Sequence, residues 1–188
     1  MSKAGKTKAI VFQHMLAYVE EHFGKDALEE VRGLPLWADL GANPESLNIS
    51  TWYPNEDWIR LLIEVTNRFH SGIPERCADF AGYFLERDLR GVYRIFLMVT
   101  STRFLLRSIP AIWRVYNDSG ESRVIESSER HGLLRLDGYS HPCPHEWHLV
   151  AGATAKALEL AGGKDVRTRI EEGLGDGETE LVLRVEWD

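Results

Sequence analysis

The chain has 188 residues, 44% hydrophobic and 27% charged, with a formal net charge of −7. Such a chain folds as one soluble globular domain, or one with two subdomains, and can bury about 70% of its unfolded surface, so it needs no disulfide or metal to make a core. The acidic balance excludes nucleic acid as a general partner, because phosphate binding needs a basic face; the longest apolar run, Ile95–Val99, is far short of the ~20 residues of a membrane helix.

Residues 1–6 read as a mobile arm. The arm is basic but leads to Gln13, His14 and acids, not to an apolar signal core, which predicts a cytoplasmic protein. Cys77 and Cys143, the only two cysteines, lie in segments of different character and are expected to be reduced thiols.

Phe12, Met15, Leu16, Val19 and Phe23 fall at helical spacing, and Gly24 ends that helix. Asp26 caps a short continuation through Ala27, Leu28 and Val31. From Gly33 to Pro54 the glycines and prolines predict an irregular connection, with one extended piece near Ile49–Trp52. Asn55 is the expected N-cap of a helix carrying Trp58, Leu61, Leu62, Val65 and Phe69. After the turn Ser71–Pro74 comes a helix with Cys77, Phe80 and Phe84, continuing as helix or as a bent pair over Asp88–Thr100. Arg87, Arg90 and Arg94 read as a solvated helix face. Ser101 or Thr102 caps a last helix of this half, with Leu105, Ile109, Ile112, Trp113 and Tyr116, in which Pro110 predicts a kink or a late start.

Asn117–Gly120 breaks the chain, and the period becomes two. Arg123–Ser127 and Leu133–Leu136 are expected strands, Trp147–Ala161 a helix rich in small residues, and Val166–Ile170 and Leu181–Trp187 a closing strand pair with one wet face. The expected fold class is therefore α+β: a helical subdomain over residues 7–118, packed on a four-stranded antiparallel sheet with one helix over residues 119–188.

This order, with the Phe12–Phe23 helix, the Ile109-Pro110-Ala111-Ile112-Trp113 helix and Glu146-Trp147 leading Leu149–Gly163, resembles the heme-nitric-oxide/oxygen-binding (H-NOX) fold and the related 4-vinyl-reductase domain. It looks still more like a group of uncharacterised paralogues expanded in myxobacteria. The resemblance implies a sensor domain that pairs into homodimers through its helices. H-NOX proteins hold heme iron by a histidine on the helix that here ends near Tyr116, and their propionate motif is Tyr-x-Ser-x-Arg. This chain has no histidine between Phe104 and Asn117, and its local stretch is Tyr139-Ser140-His141-Pro142-Cys143, without the arginine fork an anionic propionate pair requires. Heme of the usual kind is not expected.

The sharpest local chemistry is His141, Cys143, His145 and His148. Imidazole and thiolate suit zinc, but these spacings are not those of common zinc sites. The cluster is either a metal site, a proline-rich corner with solvated histidines, or a source of an unusual heme ligand such as Cys143. Aromatic residues Trp58, Phe80, Phe84, Trp113, Tyr116 and Tyr139 are the candidate walls of an apolar ligand pocket between the two halves; aromatics at such spacing are more often ordinary core. No phosphate loop, nucleophile elbow or paired-metal motif occurs. The expected function is a non-enzymatic cytoplasmic sensor or adaptor that binds a small apolar ligand or a signalling protein without a cofactor. The alternatives are a zinc protein and an atypical heme gas sensor.

Overall fold

The computed structural model describes residues 5–89, 101–175 and 178–188. Helix α1 spans Ala9–Arg32 and buries Phe12, Met15, Leu16 and Val19 along the stripe their spacing dictates. Gly24 interrupts it at φ 88°, a value a Cβ would resist, and a second buried stripe of Ala27, Leu28 and Val31 follows. A short α2, Leu36–Asp39, is pinned back by the Trp37 indole N–H, which donates to the Val31 carbonyl at 2.8 Å. Helices α3 (Asn55–Phe69) and α4 (Cys77–Leu89) are joined by a turn with positive φ at Ser71 and Gly72 and by the 3-10 turn Pro74–Arg76. Helix α5 spans Thr102–Tyr116 with Pro110 inside it, and the Ser101 hydroxyl caps it by accepting the Phe104 N–H at 3.3 Å. The helix or bent pair expected over Asp88–Thr100 lies, beyond Leu89, outside the described residues, as do Arg90 and Arg94. Arg87 sits 3.5 Å from Glu21.

Two expectations for the amino end are corrected. Residues 1–4 lie outside the described part, but Gly5 is buried and Lys6–Lys8 forms strand β1, paired antiparallel with β2 (Trp52–Pro54). The arm is held because Asn55 N–H donates to the Gly5 carbonyl at 2.9 Å and Lys6 N–H to the Asp118 side chain. Nor does Asn55 cap α3. Its side chain is fully buried and turned to other partners, and Pro54 precedes the helix with no side-chain cap.

The carboxyl-terminal part is a mixed layer. Strands β3 (Glu121–Ser127), β4 (His131–Asp137), β5 (Arg167–Glu172) and β6 (Leu181–Glu186) form one antiparallel sheet in the order β3-β4-β6-β5. Helix α6 (Pro144–Leu160) connects β4 to β5, with Pro144 at its start, where a missing N–H costs nothing. Register aligns Gly132 with Val185, Leu134 with Leu183 and Leu136 with Leu181, which makes one buried face. Gly132 is the gap in that face: a Cβ there would lie 2.3 Å from a Leu106 methyl of α5. Helices α4 and α6 also pack closely, since a Cβ on Gly152 would stand 2.5 Å from Ala78 Cα. A single core runs from Phe12, Trp58 and Phe80 through Leu106 to Trp147, Leu158 and Leu183.

Candidate functional site

A cavity of about 150 Å³ lies among α1, α3, α4, α5 and α6. Its wall is mainly apolar: Val11 from α1, Trp58 from α3, Phe84 and Leu85 from α4, Ile109, Ile112, Trp113 and Tyr116 from α5, and Leu149, Val150, Ala153 and Ala157 from α6. The polar members are Thr7, His14, Asn117, Thr154 and Glu146; no arginine or lysine is among the lining residues. The small side chains of α6 thus open room at the helix face, and helices from both halves of the chain enclose it. Thr7 of β1 is the strand residue in this wall; no strand of the β3-β4-β6-β5 sheet contributes to it.

Glu146 is the chemical centre of this wall. It is 3% exposed, and its Oε2 accepts the Trp58 indole N–H at 2.9 Å. Its second carboxylate oxygen has no hydrogen-bond donor among the described residues. Burial pushes its carboxyl up to about 7, against the Trp58 hydrogen bond, which favours the charged form. The other titratable groups coupled to it are neutral at pH 7: burial pushes Cys77 up to about 12, Cys143 up to about 11 and Tyr139 well above the usual phenol value. In the sequence Glu146 stands beside Trp147 without a motif that marks it as part of a site. The signal was present, because position 146 falls on the helical stripe of Val150, Ala153 and Ala157.

At the edge of the cavity, a buried polar knot ties the amino end to the carboxyl half. The Thr7 hydroxyl lies 2.7 Å from Asn55 Oδ1 and 2.9 Å from Asn117 Oδ1, sharing its one proton between them. Asn55 Nδ2 donates to the Ser119 hydroxyl at 2.8 Å and to the Ser140 hydroxyl at 2.9 Å. Gly5 fits against the same serines, where a Cβ would be 2.1 Å from Ser119 Oγ.

Of the six expected pocket aromatics, Trp58, Phe84, Trp113 and Tyr116 line the cavity. Phe80 and Tyr139 do not. Phe80 packs edge-on against Tyr18, with centroids 4.8 Å apart, and Tyr139 lies between Trp113 and Trp147 at 5.4 and 5.9 Å. Helical spacing put Phe80 and Phe84 on one face, but only the later turn reaches the hollow.

The metal candidates do not converge: among the described residues no three His, Cys, Asp or Glu side chains are placed to share an ion. His141 Nδ1 lies 3.1 Å from Ser140 Oγ. Cys143 precedes α6 as its N-cap residue, a free thiol, and a raised pKa keeps it protonated. His145 and His148 occupy the first turns of α6; burial lowers both pKa values, and His148 stands 4.0 Å from Glu75. The expectation of four donors about one ion fails because the extended residues before α6 and the helix itself aim them apart. None of the four lines the cavity.

The described lining also does not fit the porphyrin that the resemblance implies. Among the described lining residues no arginine or lysine stands ready for propionates, and the buried carboxyl of Glu146 would oppose them. Helix α5 presents Ile109, Ile112 and Trp113 to the cavity where an axial histidine would be needed.

No family model and no curated protein matches the chain. Solved structures do. The unliganded Fe(II) H-NOX protein of K. algicida is 17% identical, with 96% of each chain covered and a TM-score of 0.74. A structure from work on heme distortion in the H-NOX family is 9% identical over 96% of this chain and 95% of that one, with a TM-score of 0.72. An oxygen-binding H-NOX domain related to soluble guanylate cyclases, in its oxygen complex, is 10% identical over 96% and 95%, with a TM-score of 0.69. The strand order, the helix over the sheet and the cavity beneath α5 and α6 are thus carried by an H-NOX-like fold.

Proposed function

We propose that this chain is a non-enzymatic sensor or adaptor domain that takes a small apolar ligand, not heme of the usual kind, into the cavity among α1, α3, α4, α5 and α6. The observation that carries this reading is the wall itself: apolar and aromatic side chains from both halves of the chain, with no arginine or lysine among the described lining residues to receive propionates. The similar structures are described as heme proteins and, in one case, as an oxygen-binding domain, which supports a sensing role for the shared fold. A hollow of about 150 Å³ lined by such residues has room for a benzene-sized guest. Because α6 carries one wall and leads directly into β5, occupancy alters how the helices bear on the sheet, and a protein partner reads that change. No helix among the described residues is long and apolar enough to cross a membrane.

The test is purification after expression with heme supplied, followed by native mass spectrometry and a thermal melt with toluene. A colourless protein stabilised by toluene is the expected outcome. Stoichiometric heme, or a melt that toluene leaves unmoved, overturns the proposal. One observation favours a second reading, an atypical heme site: His14 is the histidine of the described lining. Heme retained by the wild type and lost in His14→Ala would establish that reading instead.

A further inference from the structure

The apolar wall contains one feature that an apolar guest alone leaves unanswered. Glu146 is buried at the cavity, held on one side by Trp58 Nε1 at 2.9 Å, and its other oxygen has no donor among the described residues. A charge at so buried a residue, with no counter-charge among the described lining residues, is costly. The first turn of α6 contributes a favourable dipole, since Glu146 is the third residue of that helix, but a dipole end does not fill a hydrogen-bonding position. The same cavity is lined by the aromatic side chains Trp58, Phe84, Trp113 and Tyr116, a residue type that suits both a hydrocarbon body and a cation.

We propose that the ligand of this cavity is a small apolar amine, whose ammonium group is received by the free oxygen of Glu146 while its hydrocarbon body fills the aromatic hollow. This rests on the apolar-ligand reading above and names the ligand class. The ammonium supplies the missing donor and the missing counter-charge together. A neutral alcohol supplies the donor alone, and a hydrocarbon supplies neither. Among the described residues that line the cavity there is no arginine or lysine to compete for Glu146, and the groups coupled to it are Cys77 of α4 and Tyr139 and Cys143 before α6. The thiols and the phenol of Tyr139 remain neutral at pH 7 because burial raises their pKa values.

Three probes of matched shape separate the possibilities: toluene, benzyl alcohol and benzylamine, titrated into the full chain at pH 7.5 while the Trp58 indole N–H is followed by NMR. Wild type should bind benzylamine about tenfold more tightly than toluene, with the alcohol between them. Glu146→Gln should reverse the order, because the variant leaves the ammonium buried without its partner. A second measurement needs no variant. The Glu146 carboxyl, followed by its carbon-13 shift in wild type, should titrate lower when benzylamine is bound than in the free protein, where its value is about 7. If toluene binds as tightly as benzylamine, or if the carboxyl titration does not move, the amine proposal fails while the apolar-ligand reading stands. If none of the three probes binds, both fail.

Discussion

The indole N–H of Trp58 and the carboxylate of Glu146, separated by 88 positions in the chain, meet at 2.9 Å and join α3 to α6 across the interior. The pair has a direct consequence for stability against pH. The Glu146 carboxyl is raised from 4.5 to about 7 by burial, so between those values the folded protein keeps a proton that the unfolded chain releases. Its contribution is present below pH 4.5 and is lost as pH rises through 7, a fall of about 3 kcal/mol. Glu146→Gln keeps an acceptor for Trp58 and removes the titration. Urea melts should show the variant gaining on wild type by roughly 3 kcal/mol between pH 4.5 and pH 8. His70, His145 and His148 have lowered pKa values from burial and act in the opposite direction, adding stability as pH rises toward 6.5. They are common to both proteins and cancel in the difference.

Thr7→Val should cost about 1–3 kcal/mol, since it leaves the side-chain amides of Asn55 and Asn117 facing a methyl group in a buried site. Hydrogen exchange should report the loss first in the β1–β2 pair, whose register begins at Lys6 and Pro54.

Gly152→Ala tests the contact of α6 with α4. Alanine is the better helix former by about 1 kcal/mol, but its methyl would fall 2.5 Å from Ala78 Cα and 2.7 Å from the Ala78 carbonyl oxygen. Backbone cannot swing aside as a side chain can, so a net loss of about 1–3 kcal/mol in chemical denaturation is expected. A stabilised variant would show that the helices part without cost.

Ala153→Leu should fill the hollow from the α6 side. The expected result is a loss of the toluene-induced thermal shift together with a gain of about 0.5–2 kcal/mol, as for other cavity-filling changes. Loss of binding through general unfolding would instead lower the melting temperature.

Both thiols should react slowly with a disulfide reagent at pH 8 in the folded protein. Cys77 is fully buried and its thiol is pushed up to about 12; Cys143 is pushed up to about 11. The thiolate fraction of Cys143 is then on the order of one in a thousand, against about a fifth to a quarter for an ordinary thiol. Denaturant should release both at once.

The architecture was legible where one periodicity dominated. Phe12, Met15, Leu16 and Val19 announced α1, and Leu181, Leu183 and Val185 announced β6. What escaped were features made by distant partners. Lys6–Lys8 has no strand-like composition, and becomes a strand only because Trp52–Pro54 lies alongside it. Asn55 carries the chemistry of a cap, yet its side-chain oxygen, the atom a cap would use, accepts the Thr7 hydroxyl instead.

The site was legible in part for the same reason. Trp58, Phe84, Trp113 and Tyr116 were found because aromatic residues mark walls, while Phe80, one helical turn from Phe84, was drawn to Tyr18 and His70. The cluster of His141, Cys143, His145 and His148 looked dense because sequence distance was taken for spatial distance. Glu146, in the middle of that cluster, carries no motif that marks a site in the sequence; its partner across the interior, Trp58, reveals what it is.

The placement of β6 between β4 and β5 has a consequence for how the polypeptide matures. The sheet's central member is the last of the four to be synthesised, so the β3–β4 hairpin and β5 emerge first with facing edges unsatisfied. A nascent chain stopped before Leu181 would present two open edges and no bridge between them. Such a fragment would be prone to pair with its own kind until translation supplied the missing strip.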